Sequence, residues 1–254
     1  MIPRYTRKEM GQVWSDESKY RCWLEVELAA SDALAEIGEV PKEAAAALRQ
    51  HAGFSVERID AIEREVRHDV IAFTTAVSET MAAAGAAEAS RWLHYGLTSN
   101  DVVDTAQSLQ LKRASELLLA GCDRLLETMK KRAYEFKNTP QIGRTHGIQA
   151  EPITFGLKVA HWYDELRRNR ARFEAAADEL RVCKMSGAVG TFGHISPEAE
   201  ERIAARLDLK PAAITTQVIP RDRHAAYVNA LAVLAAGLER VAEELKSEKR
   251  RRKK

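Results

Sequence analysis

Arginine, histidine and hydroxyl side chains gather in a few short segments of this sequence. GRTHG (143–147) holds Arg144, Thr145 and His146, RHDVIAF (67–73) holds Arg67, His68 and Asp69, and HYGLTSND (94–101) holds His94, Thr98, Ser99 and Asn100. SGAVGTFG (186–193) and TTQVIPRD (215–222) complete the set. Arginines, hydroxyls and backbone amides beside helix starts suit an anionic ligand, because unpaired N–H groups and the helix dipole favour negative charge there.

Taken singly, each feature has an ordinary explanation. Thr98-Ser99-Asn100-Asp101 can be the N-cap of a long helix. The glycines of SGAVGTFG match no complete phosphate-loop pattern and read as a flexible loop. A lone histidine is more often a hydrogen-bonded structural or surface residue than a catalyst. Their joint occurrence shifts the balance toward a site.

The elements that must position these residues are helices. Almost every long segment has three- and four-residue apolar spacing, and EVPKEAAAALRQHA is typical of its strong helix formers, so the fold class is all-α. Gly38, Pro41 and Gly53 punctuate the first ninety or so residues into shorter helices. From Asp101 one stripe runs through Val102, Ala106, Leu109, Cys122, Leu125, Met129 and Phe136, a rod over about 50 Å long at ~1.5 Å per residue. A second stripe includes Ile153, Leu157, Ala160, Phe173 and Ala177, and a third Leu231, Leu234, Leu238, Val241 and Leu245. Long repeated stripes make a bundle. The expected organisation is a small N-terminal helical domain (1–93), a long-helix bundle (94–245) and a basic tail (246–254). Alanine-rich faces predict packing against further helices, and hence self-association. Gly143 and Gly147 are expected to let the backbone approach a ligand, and Pro152 to start the next bundle helix.

Charge narrows the partners. Thirty-nine Lys+Arg stand against 37 Asp+Glu, but KSEKRRRKK (246–254) alone holds seven basic residues and one acidic, leaving the rest mildly acidic. Nothing before residue 246 reads as a nucleic-acid footprint. The tail itself reads as charge that complements a helix C-terminus and aids solubility. Cys22, Cys122 and Cys183 are widely spaced, with no metal-ligand spacing, which suits a reducing compartment. No uninterrupted apolar run reaches the ~18 residues of a membrane span and the N-terminus lacks a signal-peptide pattern, so the expected location is cytoplasmic, off the membrane.

With these residues in hand, the sequence resembles the aspartase/fumarase superfamily and, within it, the adenylosuccinate lyase family. MIPRY, RHDVIAF, HYGLTSNDVVDT, GRTHGIQAEPITFG and QVIPRD occur in the family's order between residues 1 and 222. The resemblance implies a partial aspartase/fumarase-type fold and a cofactor-free β-elimination. Adenylosuccinate would yield AMP and fumarate, and the related succinyl-aminoimidazole-carboxamide ribotide step of purine biosynthesis would follow the same course. It implies that His146 is the general acid and that His68 and His94 line the site. Arg4 and Tyr5 would contact the nucleotide phosphate, Arg67 and Asp69 the nucleotide, Thr98 and Ser99 the succinyl carboxylates, with Thr145 nearby, and Gln217 the fumaryl part. In this family each site is assembled from several subunits of a homo-oligomer, so these segments need not converge within one chain.

The family's serine loop, of the pattern S-S-x-M-P-x-K-x-N-P, does not occur in this sequence. The sequence is therefore read as truncated before the catalytic base, with little or no lyase activity alone. Two alternatives accompany that reading. One is a non-catalytic, truncated or engineered helical scaffold that self-associates. The other is a muconate cycloisomerase-like member of the same superfamily, which shares a TS-DVVDT pattern but normally lacks the histidine of GRTHG.

Overall fold

The computed structural model describes residues 2–251, with side chains described as far as Ser247. A 3-10 turn at Pro3–Tyr5 leads into α1 (Lys8–Val13), α2 (Asp16–Glu36), α3 (Lys42–His51), α4 (Val56–Val66), α5 (Asp69–Ala83) and α6 (Ala87–Ser90). The 37-residue α7 (Ser99–Glu135) precedes a hairpin of β1 (Pro140–Thr145) and β2 (Ile148–Thr154), then α8 (Phe155–Glu179). A two-residue strand β3 (Val182–Cys183), α9 (Pro197–Arg206), a second short strand β4 (Lys210–Pro211) and α10 (Asp222–Arg251) complete the order. The fold is mostly helical, as the periodicity predicts. Of the basic tail, α10 includes residues as far as Arg251, and 252–254 lie outside the described residues.

Contacts divide the chain into two compact units, and the cut falls inside α7. Unit 1 comprises Met1–Ala114 with Leu180–Arg221, and unit 2 comprises Ser115–Glu179 with Asp222–Lys254.

Unit 1 is built around α2, whose Trp23, Val26, Ala30, Ala33 and Leu34 are buried at helical spacing. Ser15 starts the helix by accepting the Ser18 N–H, satisfying an amide that has no intrahelical partner. Trp23 packs edge-on to Phe73 of α5 at 5.5 Å and to Tyr20 at 5.3 Å. Burying rings of this size contributes about 2–3 kcal/mol each by area, which makes this cluster the anchor of the unit. The first half of α7 adds Val102, Ala106 and Leu109 to the same core, and α9 adds Ala199, Ile203 and Ala204. Strands β3 and β4 pair in parallel beside them.

Unit 2 has a smaller core of Cys122, Leu126 and Met129 from α7, Val159, Trp162 and Leu166 from α8, and Leu234 from α10. One expectation changes here. Pro152 does not start a helix: it lies in β2 opposite Ile142, and α8 begins at Phe155, with the Thr154 hydroxyl accepting the Leu157 N–H. The apolar stripes are only partly covered within the chain. Leu157 is 60% exposed, and Val228, Val233, Leu238 and Leu245 of α10 are exposed as well.

One element bears on the expectation about membranes. Although no uninterrupted apolar run is long enough, the helix Asp222–Ser247 contains an 18-residue window with a mean hydropathy of 1.3 and is long and apolar enough to cross a membrane by length and composition. The core helix of a soluble bundle meets the same criterion.

Candidate functional site

The expected site residues fall in both units: Arg4, Tyr5, Arg67, His68, Asp69, His94, Thr98, Ser99 and Gln217 in unit 1, and Thr145 and His146 in unit 2.

In unit 1 the most connected group surrounds the start of α7. Asp101 is fully buried, and its carboxylate accepts from the Thr98 N–H at 2.8 Å, three residues back, as the N3 carboxylate of a capping box does. It also accepts from the Gly187 N–H at 3.2 Å and from the Lys184 ammonium at 2.5 Å. Lys184 is fully buried too, and donates to the Gly187 carbonyl at 2.7 Å. One ion pair thus ties the TSND turn to the SGAVGTFG loop. The start and middle of that loop are fixed to the Thr215 segment, by a 2.6 Å bond between the Ser186 and Thr215 hydroxyls and by Gly190, which lies against the Thr215 carbonyl. Gln217 is exposed one step further on, before Ile219 donates its N–H to the buried Asp104 carboxylate at 2.7 Å. Hence Thr98 and Ser99, the glycine loop and the Gln217 segment belong to one hydrogen-bonded network.

His94 joins this neighbourhood from the other side. Its backbone is left-handed, with φ of 61°. Its N–H donates to Glu27 Oε2 at 2.9 Å, and its ring Nδ1 lies 2.6 Å from Glu27 Oε1. Burial alone would lower the imidazole pKa, but the Glu27 hydrogen bond and charge, with the Asp101 charge, outweigh it and raise the pKa.

Two further groups of unit 1 are held locally. Arg67 caps the end of α4 in the left-handed conformation, and His68 starts α5 by accepting the Ile71 N–H on Nδ1 at 3.3 Å. Asp69, first in α5, accepts its neighbour's amide at 2.7 Å, and its carboxylate lies 3.5 Å from His68 Nδ1. Arg4 stacks over the Tyr5 ring at 4.8 Å, and both are exposed.

In unit 2, Thr145 and His146 are exposed at the tip of the hairpin. His146 has φ of 51° and Gly147 φ of 76°, the pair of positive values that a two-residue hairpin turn requires. Gly147 is therefore explained by the turn. Gly143 is explained by the strand partner: the ladder shifts register between Ile142 and Arg144, and a Cβ on Gly143 would lie 2.6 Å from the Glu151 carbonyl oxygen. Neither glycine needs a ligand to account for it. Arg144 lines a cavity of about 330 Å³ with Ile142, Gly143, Ile153, Lys158, Glu244 and Ser247, and Lys158 pairs with Glu244 at 3.5 Å.

Sequence reasoning missed Glu27, Lys184 and the anchoring role of Asp101. A signal existed for the first: Glu27 shares a helical face with Trp23, Ala30 and Leu34, which places a carboxylate on a core stripe. Lys184 likewise stands between Val182-Cys183 and Met185 in a short apolar run.

Comparison with known proteins gives the chain its relatives. The model of the family described as Lyase matches residues 4–247. An adenylosuccinate lyase of Bacillus subtilis is 48% identical over 246 residues, 97% of this chain and 56% of that protein. The chain therefore spans just over half the length of this curated relative. Among solved structures, a fumarate lyase from Mesorhizobium sp. BNC1 matches 95% of this chain and 58% of its own, with a TM-score of 0.85 and 30% identity. The 3-carboxy-cis,cis-muconate lactonizing enzyme from Pseudomonas putida matches 94% and 56%, with a TM-score of 0.87 and 28% identity.

Proposed function

The chain belongs to the lyase family, and we propose that it carries part of an adenylosuccinate lyase-like site for β-elimination of fumarate from adenylosuccinate, and from the related succinyl-aminoimidazole-carboxamide ribotide, in purine nucleotide biosynthesis. The observation that carries this reading is the likeness to an adenylosuccinate lyase along nearly the whole chain.

The chemistry removes a proton from carbon beside a carboxylate and then expels a nitrogen leaving group. The first step builds an aci-carboxylate-like dianion, which donors fixed in advance stabilise. Thr98 and Ser99 at the start of α7 suit that task, because Asp101 and Lys184 hold the turn in place and the helix start favours negative charge. His146 suits the acid that protonates the leaving nitrogen, being an exposed imidazole on a defined turn. Arg4, Tyr5, Arg67, His68, Asp69, His94, Thr145 and Gln217 hold and orient the nucleotide and its succinyl arm. No cofactor has a role in this scheme. The reading places the chain in the cytoplasm and in a homo-oligomer, in which a second copy would cover exposed apolar residues of α10.

No residue of this sequence is assigned as the base, since the serine-loop pattern is not in it. General acid and general base each contribute about 10²–10⁴-fold, so the purified polypeptide is expected to turn over little or no adenylosuccinate. An absorbance assay of adenylosuccinate cleavage, paired with calorimetry against AMP, tests both halves. Near-family turnover would refute the missing base. AMP binding that disappears in Arg4→Ala or His68→Ala supports the nucleotide site, whereas no binding leaves a self-associating scaffold, which the exposed apolar residues of α10 favour. Cycloisomerisation of a carboxymuconate would instead favour the branch of the Pseudomonas putida enzyme.

A further inference from the structure

Glu27 is only 1% exposed, yet both of its carboxylate oxygens are spent on one residue. Oε2 accepts the His94 backbone N–H at 2.9 Å, and Oε1 lies 2.6 Å from the ring Nδ1. A buried carboxylate accepts hydrogen bonds and needs a donor on each oxygen. The 2.6 Å contact therefore places a proton on Nδ1 and leaves Nε2 as the nitrogen available to anything outside. The backbone bond serves the same end. His94 sits at φ of 61°, a left-handed conformation unfavourable for a non-glycine residue, and the main-chain bond to Glu27 holds it there.

We propose that Glu27 is a positioning residue for His94: it fixes the main chain and the Nδ1–H tautomer together, so that Nε2 is presented to the ligand. The inference rests on the reading of His94 as a residue that orients substrate, and names what does the orienting. Two charged groups face this imidazole, Glu27 from α2 and Asp101 from α7, and both favour its protonated form. When His94 is protonated, Nε2 becomes an N–H donor with positive charge behind it, suited to an anionic oxygen of the ligand. When it is neutral, the Glu27 contact keeps the proton on Nδ1, and Nε2 is an acceptor. Without Glu27 the ring could take either tautomer and rotate about χ2.

The test is nitrogen-15 NMR of the histidine side chains in the full chain, without ligand and then with AMP and with fumarate. In the ligand-free wild type, His94 is expected as the Nδ1–H tautomer above its titration midpoint, with that midpoint higher than the ~6.5 of an ordinary histidine. Glu27→Gln should lower His94 proton affinity by about tenfold or more, the scale on which a neighbouring opposite charge acts. An Nε2–H tautomer in the wild type, or an unchanged midpoint in folded Glu27→Gln, overturns the proposal. Should Glu27→Gln fail to fold, the wild-type tautomer and midpoint decide it alone. The ligand arm separates the two layers. A Nε2 response to AMP or fumarate supports presentation to the ligand, and a Nδ1–H tautomer with no response to either overturns the assignment of His94 to the site while the Glu27 pairing stands.

Discussion

Replacing Lys184 by methionine should test the anchor beneath Thr98 and Ser99. Lys184 and Asp101 are both fully buried and 2.5 Å apart. Methionine has a similar reach and fills space adaptably, so the main loss is electrostatic and little cavity is expected. It leaves the Asp101 carboxylate in the core with the Thr98 and Gly187 amides as its remaining donors. Removing one partner of a buried ion pair costs about 3–5 kcal/mol, because the other charge stays behind without compensation. At roughly 2–4 °C per kcal/mol for a chain of this size, Lys184→Met should melt about 6–20 °C below the wild type. The assay is thermal unfolding followed by circular dichroism, repeated with Asp101→Asn and with the double variant. Removing both charges leaves no uncompensated charge, although the Gly187 carbonyl loses its Lys184 donor and an asparagine oxygen can serve only one of the Thr98 and Gly187 amides, so the double variant should recover part of the loss, and the cycle should show a coupling of about 0.5–3 kcal/mol. A drop of less than about 2 °C in Lys184→Met, or strict additivity in the double variant, would refute the claim that this pair anchors the turn.

Two other perturbations probe the same unit. Gly190 has φ of 80°, and a Cβ there would lie 2.1 Å from the Thr215 carbonyl oxygen, whereas a Cβ on Gly193 would meet nothing within 4 Å. Gly190→Ala should therefore destabilise by about 1–3 kcal/mol in urea unfolding and Gly193→Ala by less than 1, and equal losses would contradict the packing of the loop. The His94–Glu27 pair predicts a pH dependence. The folded-state pKa of His94 is raised above the ~6.5 of an ordinary histidine, so the proton-linked stability is fully present below that value and is lost as pH rises through the folded midpoint. The stability gap between wild type and Glu27→Gln, followed by urea unfolding from pH 6 upward, should narrow with rising pH; a gap that widens would reverse the sign of the argument.

The helices were legible because their evidence is local. Gly38, Pro41 and Gly53 mark real boundaries between α2, α3 and α4, and the stripe from Val102 to Met129 is a single helix. The hairpin was not legible, because its strands are mostly exposed and give little alternation, and Gly143 breaks the register halfway. Pro152 was misread for a related reason: a proline suits a helix start, but it is also tolerated in an exposed edge strand, where no ladder amide is needed. The anchors of the site failed differently. Glu27 and His94 are 67 residues apart, and Lys184 and Asp101 are 83 apart. A charged residue on a core stripe announces that a partner exists, but its identity depends on which turns the fold brings together.

Backbone conformation adds an observation that bears on the proposed site. Among the described residues, five that are not glycine have positive φ: Arg67, His94, His146, Phe192 and Asp208. Three of these five are residues that the motifs had already singled out. Left-handed backbone costs a non-glycine residue about 1–2 kcal/mol, so a position with no other duty tends to become glycine. At Arg67 the strain links the end of α4 directly to the His68 cap of α5. At His94 it is held by Glu27, and at His146 by a two-residue turn that Gly147 completes. In each case the surrounding structure over-determines the conformation, and a side chain that glycine lacks is kept at a sharp bend. That combination is expected where the side chain is needed for binding or chemistry, because stability alone would favour relieving the strain.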